Sequence, residues 1–169
     1  MLIEQTGAFE RIHFERLLKQ KAESGHHGVS QQLLFPVVKE FSSPDFELIR
    51  ALEPELRALG FDFENFGKTA IAVNGVPPEV QELDIKNLFD SLLEQFKRSQ
   101  QDLQLNRAEQ LAKTLAANAA RSASGSLSPE KMLVLIDQLF ACESPAYTPS
   151  GRSIISIIPL EELDARFGR

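Results

Sequence analysis

The chain contains a single cysteine, Cys142, so no intrachain disulfide can staple it, and a reducing compartment is the default. Long apolar runs are also missing. Nothing approaches the ~18 residues of a membrane helix, and no membrane contact is expected. The N-terminus lacks the basic flank and apolar stretch of a secretion signal, which leaves the cytoplasm as the simplest location. No Gly-rich phosphate loop, internal repeat or low-complexity tract occurs. Positive charge is scarce too: 18 Lys and Arg stand against 24 Asp and Glu, for a formal charge of −6. An acidic chain repels phosphate, which disfavours a general DNA-binding surface unless a local patch or a partner supplies one. Lys97-Arg98, Arg107 and Arg121 are too scattered along the sequence to define a groove.

What is present is ordinary globular composition. The 169 residues are 43% apolar and 25% charged, enough to bury one core, or one core with a smaller insert. The chain opens abruptly on Met1-Leu2-Ile3, which reads as a strand and as a piece of something larger. A helix is expected from about Ala8 to Gln20, with Gly7 providing the turn into it. Ser24-Gly25-His26-His27-Gly28 reads as a polar link. Gln32–Phe41 alternates as a strand, and Pro36, which cannot donate to a ladder, puts it at a sheet edge.

Ser43-Pro44 starts a helix that Pro54 must kink or split and Gly60 stops. A hairpin follows around Asn65-Phe66-Gly67. The clearest helix carries Ile85, Leu88, Phe89, Leu92, Leu93 and Phe96 on one face, with Asp84 as its cap. Lys97–Asp102 is polar and reads as a second link. Ala108, Leu111, Ala112, Leu115, Ala116 and Ala119 give the next helix a small-residue face. Met132, Leu135, Ile136, Leu139 and Phe140 mark the buried side of another. Ile154, Ile155, Ile157 and Ile158 are apolar on both faces and predict a central strand. Leu160–Phe167 closes the chain as a short helix. The class is α+β.

Four stretches in order, with the tail, resemble the C-terminal dimerisation domain of the mismatch-repair protein family MutL. They are Leu2–Glu15, Gln31–Pro36, Leu115–Ala120 and Thr148–Ser153, followed by Leu163–Arg169. In the family the first reads Asp-Gln-His-Ala, two residues, Glu, four residues, Glu. The second resembles the family's sliding-clamp-binding strand. The third carries Ala, Cys, then His or Arg in nuclease members, and the fourth reads Cys-Pro-His-Gly-Arg-Pro. The resemblance covers nearly the whole chain. It implies a dimerisation subdomain built from both chain ends, residues 1–28 and 103–169, with an inserted regulatory subdomain at 29–102 that carries the clamp-binding-like strand.

Active family members nick DNA with divalent metals, which requires several carboxylate, imidazole or thiolate ligands to converge. Here the ligand positions are degenerate. Glu4 replaces the first Asp, Thr6 and Ser150 replace His, Asn118 replaces His or Arg, and Thr148 replaces Cys. Glu10 and Glu15 remain, but five residues apart on a helix they point about 140° from each other. Two such acids are ordinarily solvated charges, and His13, one turn from Glu10, is ordinarily structural. His26 and His27 offer at most weak surface affinity, and Cys142 lies six residues before the motif's cysteine position. No metal, cofactor or catalytic residue is therefore expected in this domain.

The resemblance implies a homodimerisation module in DNA mismatch repair, with Ile154, Ile155, Ile157 and Ile158 as dimer-core candidates. An ordinary monomer core would explain those isoleucines and the Ala-rich helix equally well. It also implies coupling to the replication sliding clamp through Gln32, Leu34 and Pro36. Other mismatch-repair proteins are expected partners. DNA would be engaged indirectly, or through an absent N-terminal domain that binds ATP. The alternative is a metal-dependent DNA-nicking endonuclease with altered ligands.

Overall fold

The computed structural model describes residues 1–24, 28–99, 106–123, 125–166 and 168. The chain starts with a two-residue strand β1 (Leu2–Ile3) and helix α1 (Gln5–Ser24). The helix begins three residues earlier than its apolar stripe predicts, because Glu4 caps it. Its carboxylate accepts from the backbone N–H of Thr6 at 2.9 Å and of Gly7 at 2.6 Å. Gly7 therefore lies inside the first turn instead of leading into it. A Cβ there would come within 2.7 Å of Glu4 Oε2 and 3.0 Å of Thr148 Cγ2, so close approach explains the glycine.

Three antiparallel strands form the larger sheet: β2 (Gln31–Glu40), β3 (Asp62–Asn65) and β4 (Ala70–Val76), in the order β2-β4-β3. Strand β2 is at an edge, as Pro36 requires. Its register jumps between Gln32, opposite Gly75, and Val37, opposite Val73, so Leu33–Pro36 bulge away from β4. Between β2 and β3, helix α2 (Ser43–Ala51) is capped by Ser42, and α3 (Glu53–Ala58) follows where Pro54 splits the run. Gly60, at φ 100°, ends it.

Helix α4 (Ile85–Ser99) covers the sheet, with Asp84 Oδ1 accepting from the N–H of Lys86 at 2.9 Å and Asn87 at 3.3 Å. All six residues of its predicted apolar face are buried, and Phe89 stands at the centre of the rings of Phe41, Phe61 and Phe63. Lys97–Ser99 continue this helix, so the expected polar link does not start at Lys97. Gly25–His27 and Gln100–Asp102 lie outside the described residues.

Helix α5 (Arg107–Ser122) presses its alanine face against α1 and α4. After α6 (Pro129–Phe140), strand β5 (Ile155–Ser156) pairs antiparallel with β1, and α7 (Leu160–Arg166) follows. Two expectations need correction here. The isoleucine run forms only a two-residue strand in a two-stranded sheet, with Ile154 buried but Ile157 77% exposed, so it is not central. On α6 only Leu135 and Leu139 are buried, while Met132 and Phe140 are about half exposed.

The buried residues form two cores. The larger one joins the sheet, α2–α4 and α5 to Leu17 of α1. The smaller one gathers Ala8, Ile12, Leu135, Leu139 and Ile154 from the two chain ends. Helix α1 serves both.

His13 lies midway along α1, stacked on Phe9 with ring centroids 6.0 Å apart, and its Nδ1 is buried without a hydrogen-bond partner. Burial, with the Arg16 guanidinium adding to it, pushes the imidazole from 6.5 down to about 4. The folded state keeps His13 neutral while the unfolded chain protonates below pH 6.5. Stability contributed above that pH is therefore lost as pH falls toward 4, by up to about 1.4 kcal/mol per pH unit. Urea denaturation from pH 7 to 5 should show this slope in the wild type and lack it in His13→Leu. Parallel slopes would refute the assignment.

Candidate functional site

The residues at the degenerate ligand positions do not converge on one point. Thr6 and Glu10 of α1 meet Ser150 and Arg152 at the rim of a cleft of about 510 Å3, whose opposite wall is the α5 face carrying Lys113 and Arg121. The segment Thr148–Arg152 is a tight turn closed by Thr148 N donating to Arg152 O at 2.8 Å, with Gly151 at φ 83°. Thr148 is buried beneath it. Its Oγ1 accepts from the Arg152 N–H at 3.1 Å and lies 3.0 Å from Ser150 Oγ. Two hydroxyls thus stand where the family pattern has a thiol and an imidazole. They organise the turn and are poor ligands for a divalent ion.

The two retained acids have other partners. Glu10 is buried, and its Oε2 accepts from Arg152 Nη2 at 2.7 Å. Glu15 points elsewhere, accepting from the backbone N–H of Glu143 at 2.7 Å and Ser144 at 3.2 Å, and pairing with Arg11 at 3.4 Å. Glu4 is the cap of α1. Asn118 stays on α5, donating to Thr114 O at 2.8 Å and Ser91 Oγ at 3.2 Å while accepting from Arg121 at 3.2 Å. Cys142 donates to Gln138 O, and burial, followed by the nearby Glu15 carboxylate, pushes its thiol up to about 11. Among the described residues no group of three or more His, Cys, Asp or Glu could hold a metal ion. His26 and His27 lie outside the described residues. The donor set of the described residues does not fit a divalent-metal centre.

Residues 1–127 match the family model described as the MutL C-terminal dimerisation domain. The chain belongs to the MutL C-terminal dimerisation family. It is 36% identical over 169 residues to the DNA mismatch repair protein MutL of Chloroherpeton thalassium, covering all of this chain and 26% of that protein. The MutL of Bacteroides fragilis is 36% identical over 99% of this chain and 26% of its own length. That of Christiangramia forsetii is 30% identical over 99% of this chain and 27% of its own length. The domain therefore spans about a quarter of these relatives. No helix among its described residues is long and apolar enough to cross a membrane.

None of the clamp-binding-like residues Gln32, Leu34 and Pro36 lines this cleft. On the β2 bulge Leu34 is 96% and Phe35 81% exposed, Pro36 is exposed, and the Gln32 amide donates to Asp62 at 3.3 Å. Reading the motifs alone missed Lys113 and its neighbours. Gln110, Lys113, Thr114, Ala117 and Arg121 recur at i, i+3, i+4, i+7 and i+11, so the polar stripe of α5 carried the signal opposite its alanine face.

Glu15 should behave as a structural anchor. Glu15→Ala removes a charged acceptor from two backbone N–H groups, and urea denaturation should show a loss of about 1.5–3 kcal/mol. An unchanged midpoint would mean the 143–144 turn does not depend on it.

Proposed function

We propose that this domain is the homodimerisation module of a MutL-like mismatch-repair protein, that it couples the dimer to the replication sliding clamp, and that it has no competent endonuclease site. The observation that carries the reading is the apolar surface left uncovered on the chain-end elements. Leu2, Leu133, Phe140, Ile157 and Leu160 are all exposed there, and among the described residues β1 and β5 pair only with each other, leaving open edges. A second copy of the chain is the occupant that family membership favours, through an isologous contact that covers the same surface on both subunits. On this reading residues 1–28 and 103–169 form the dimerisation subdomain and 29–102 the inserted regulatory one. The whole protein's ATP binding would reside in a separate domain, and other mismatch-repair proteins would act through the dimer.

Because Ile157 is exposed within one chain, Ile157→Asp separates an interface from a core. The variant should sediment as a monomer with unchanged circular dichroism, since burying an unpaired carboxylate in an interface costs several kcal/mol. A dimer that survives the substitution would move the interface elsewhere.

The β2 bulge supports clamp binding. Leu34 projects for insertion into an apolar pocket, Gln32 presents an amide able to donate and accept, and Pro36 keeps that edge unpaired. Contact should be weak, because so short a segment buries far less surface than a stable interface. Titrating the clamp with wild type and with a Gln32→Ala, Pro36→Ala double variant should show at least about tenfold weaker binding, 1.4 kcal/mol, for the variant. Equal binding by two folded proteins would remove the segment from the mechanism.

The reading that nuclease activity is absent is supported by the cleft's potential ligands among the described residues, which are hydroxyls, two glutamine amides and a glutamate already paired with arginine. After dialysis against zinc and manganese, elemental analysis should find no stoichiometric metal. One tightly held ion per chain would favour the alternative, a metal-dependent nicking enzyme with altered ligands.

A further inference from the structure

We propose that Asp62, braced by Arg57, is a positioning residue that holds the Gln32 amide in the orientation it presents to the sliding clamp. This role rests on the clamp-binding reading of β2 and brings in residues from β3 and α3. Gln32 of β2 and Asp62 of β3 are not neighbours in the sheet, because β4 lies between them. Both stand opposite the same residue, Gly75, although both ladders shift register beside it. The three form one row across the sheet, whose side chains share a face and whose outer backbones are roughly 10 Å apart. The Gln32 side chain spans that gap, and its Nε2 donates to Asp62 Oδ2 at 3.3 Å. A glycine leaves the middle of the row open. A Cβ at Gly75 would stand 3.2 Å from Gln32 Nε2 and 2.4 Å from Ser30 Oγ. Gly75 is not among the glycines with positive φ, so space and not backbone conformation calls for it.

Asp62 is itself held. Its Oδ1 lies 3.5 Å from Arg57 Nη1, and Arg57 is fixed in turn by donating to Phe63 O at 2.6 Å and to Glu53 Oε1 at 2.9 Å. The guanidinium also lies over the Phe63 ring, 5.1 Å from its centroid. Each carboxylate oxygen thus has one partner, Arg57 on one side and Gln32 on the other. The Asp62 side chain is 43% exposed, so these contacts add little to stability. Their consequence falls on Gln32. One N–H of its amide is committed to Asp62, which leaves the second N–H and the carbonyl oxygen for a partner. An unheld glutamine loses rotamer freedom when a partner captures its amide, and one already held loses less. The bulge carrying Leu34 and Pro36 starts beside this row, so the row fixes the polar end of the segment relative to its apolar one.

Calorimetric titration of the whole chain with the replication sliding clamp, in a double-mutant cycle of Asp62→Ala and Gln32→Ala, tests this role. Asp62→Ala should weaken clamp binding about fivefold, the cost of ordering one freed side chain, and should have no further effect in the Gln32→Ala background. A general effect of lost charge or altered fold would instead lower affinity equally in both backgrounds. In the free domain, nitrogen relaxation should find the Gln32 side-chain amide ordered in the wild type and mobile in Asp62→Ala. Should Asp62→Ala lose its circular dichroism, Asp62→Thr decides instead, since threonine suits a strand and its short side chain does not reach the amide. Unchanged or tighter binding by the folded Asp62 variant would overturn the role of Asp62. So would equal losses in the two backgrounds, or a Gln32 amide as mobile in the wild type as in the variant. If the wild type does not bind the clamp, or Gln32→Ala binds as well as the wild type, the clamp reading itself fails and this role falls with it.

Discussion

Acidic side chains on α1 tie the two ends of the chain together, and the chain-end unit depends on that tie. Glu10 meets Arg152 across 142 residues of sequence, and Glu15 collects the backbone N–H groups of Glu143 and Ser144. Between these anchors the returning segment turns, and just past Arg152 it seats Ile154 in the smaller core and pairs β5 with β1. A buried carboxylate is costly unless a cation or several N–H donors satisfy it; buried Glu10 has Arg152, while partly exposed Glu15 has two backbone N–H groups and Arg11. Removing Arg152 would leave the Glu10 charge in the core.

The same tie gives Glu10 and Glu15 a structural use, and among the described residues no group of three or more His, Cys, Asp or Glu that could hold a metal ion surrounds them. Glu10 and Glu15 serve packing and turn geometry, and hydroxyls replace the soft and imidazole donors.

The sequence made much of this legible where local physics decides. The heptad-like face of α4, the break at Pro54, the hairpin around Gly67 and the edge placement of β2 all follow from periodicity and from what proline and glycine permit. It misled on the chain-end elements. Ile154–Ile158 and the Met132–Phe140 face read as core because apolar residues ordinarily go inside, yet Ile157, Met132 and Phe140 are exposed in one chain. The start of α1 was misplaced because Glu4 caps the helix from outside its apolar stripe. The cleft was illegible because Lys113, Arg121 and Arg152 come from separate segments, and no spacing rule links them.

On the proposed reading, a second copy of the chain covers the exposed apolar residues of the chain-end elements. Sedimentation equilibrium of the unmodified domain, 18.9 kDa per chain, at tens of micromolar is the direct measurement. The account predicts the mass of two chains. A single-chain mass at that concentration, with the fold intact, would contradict it.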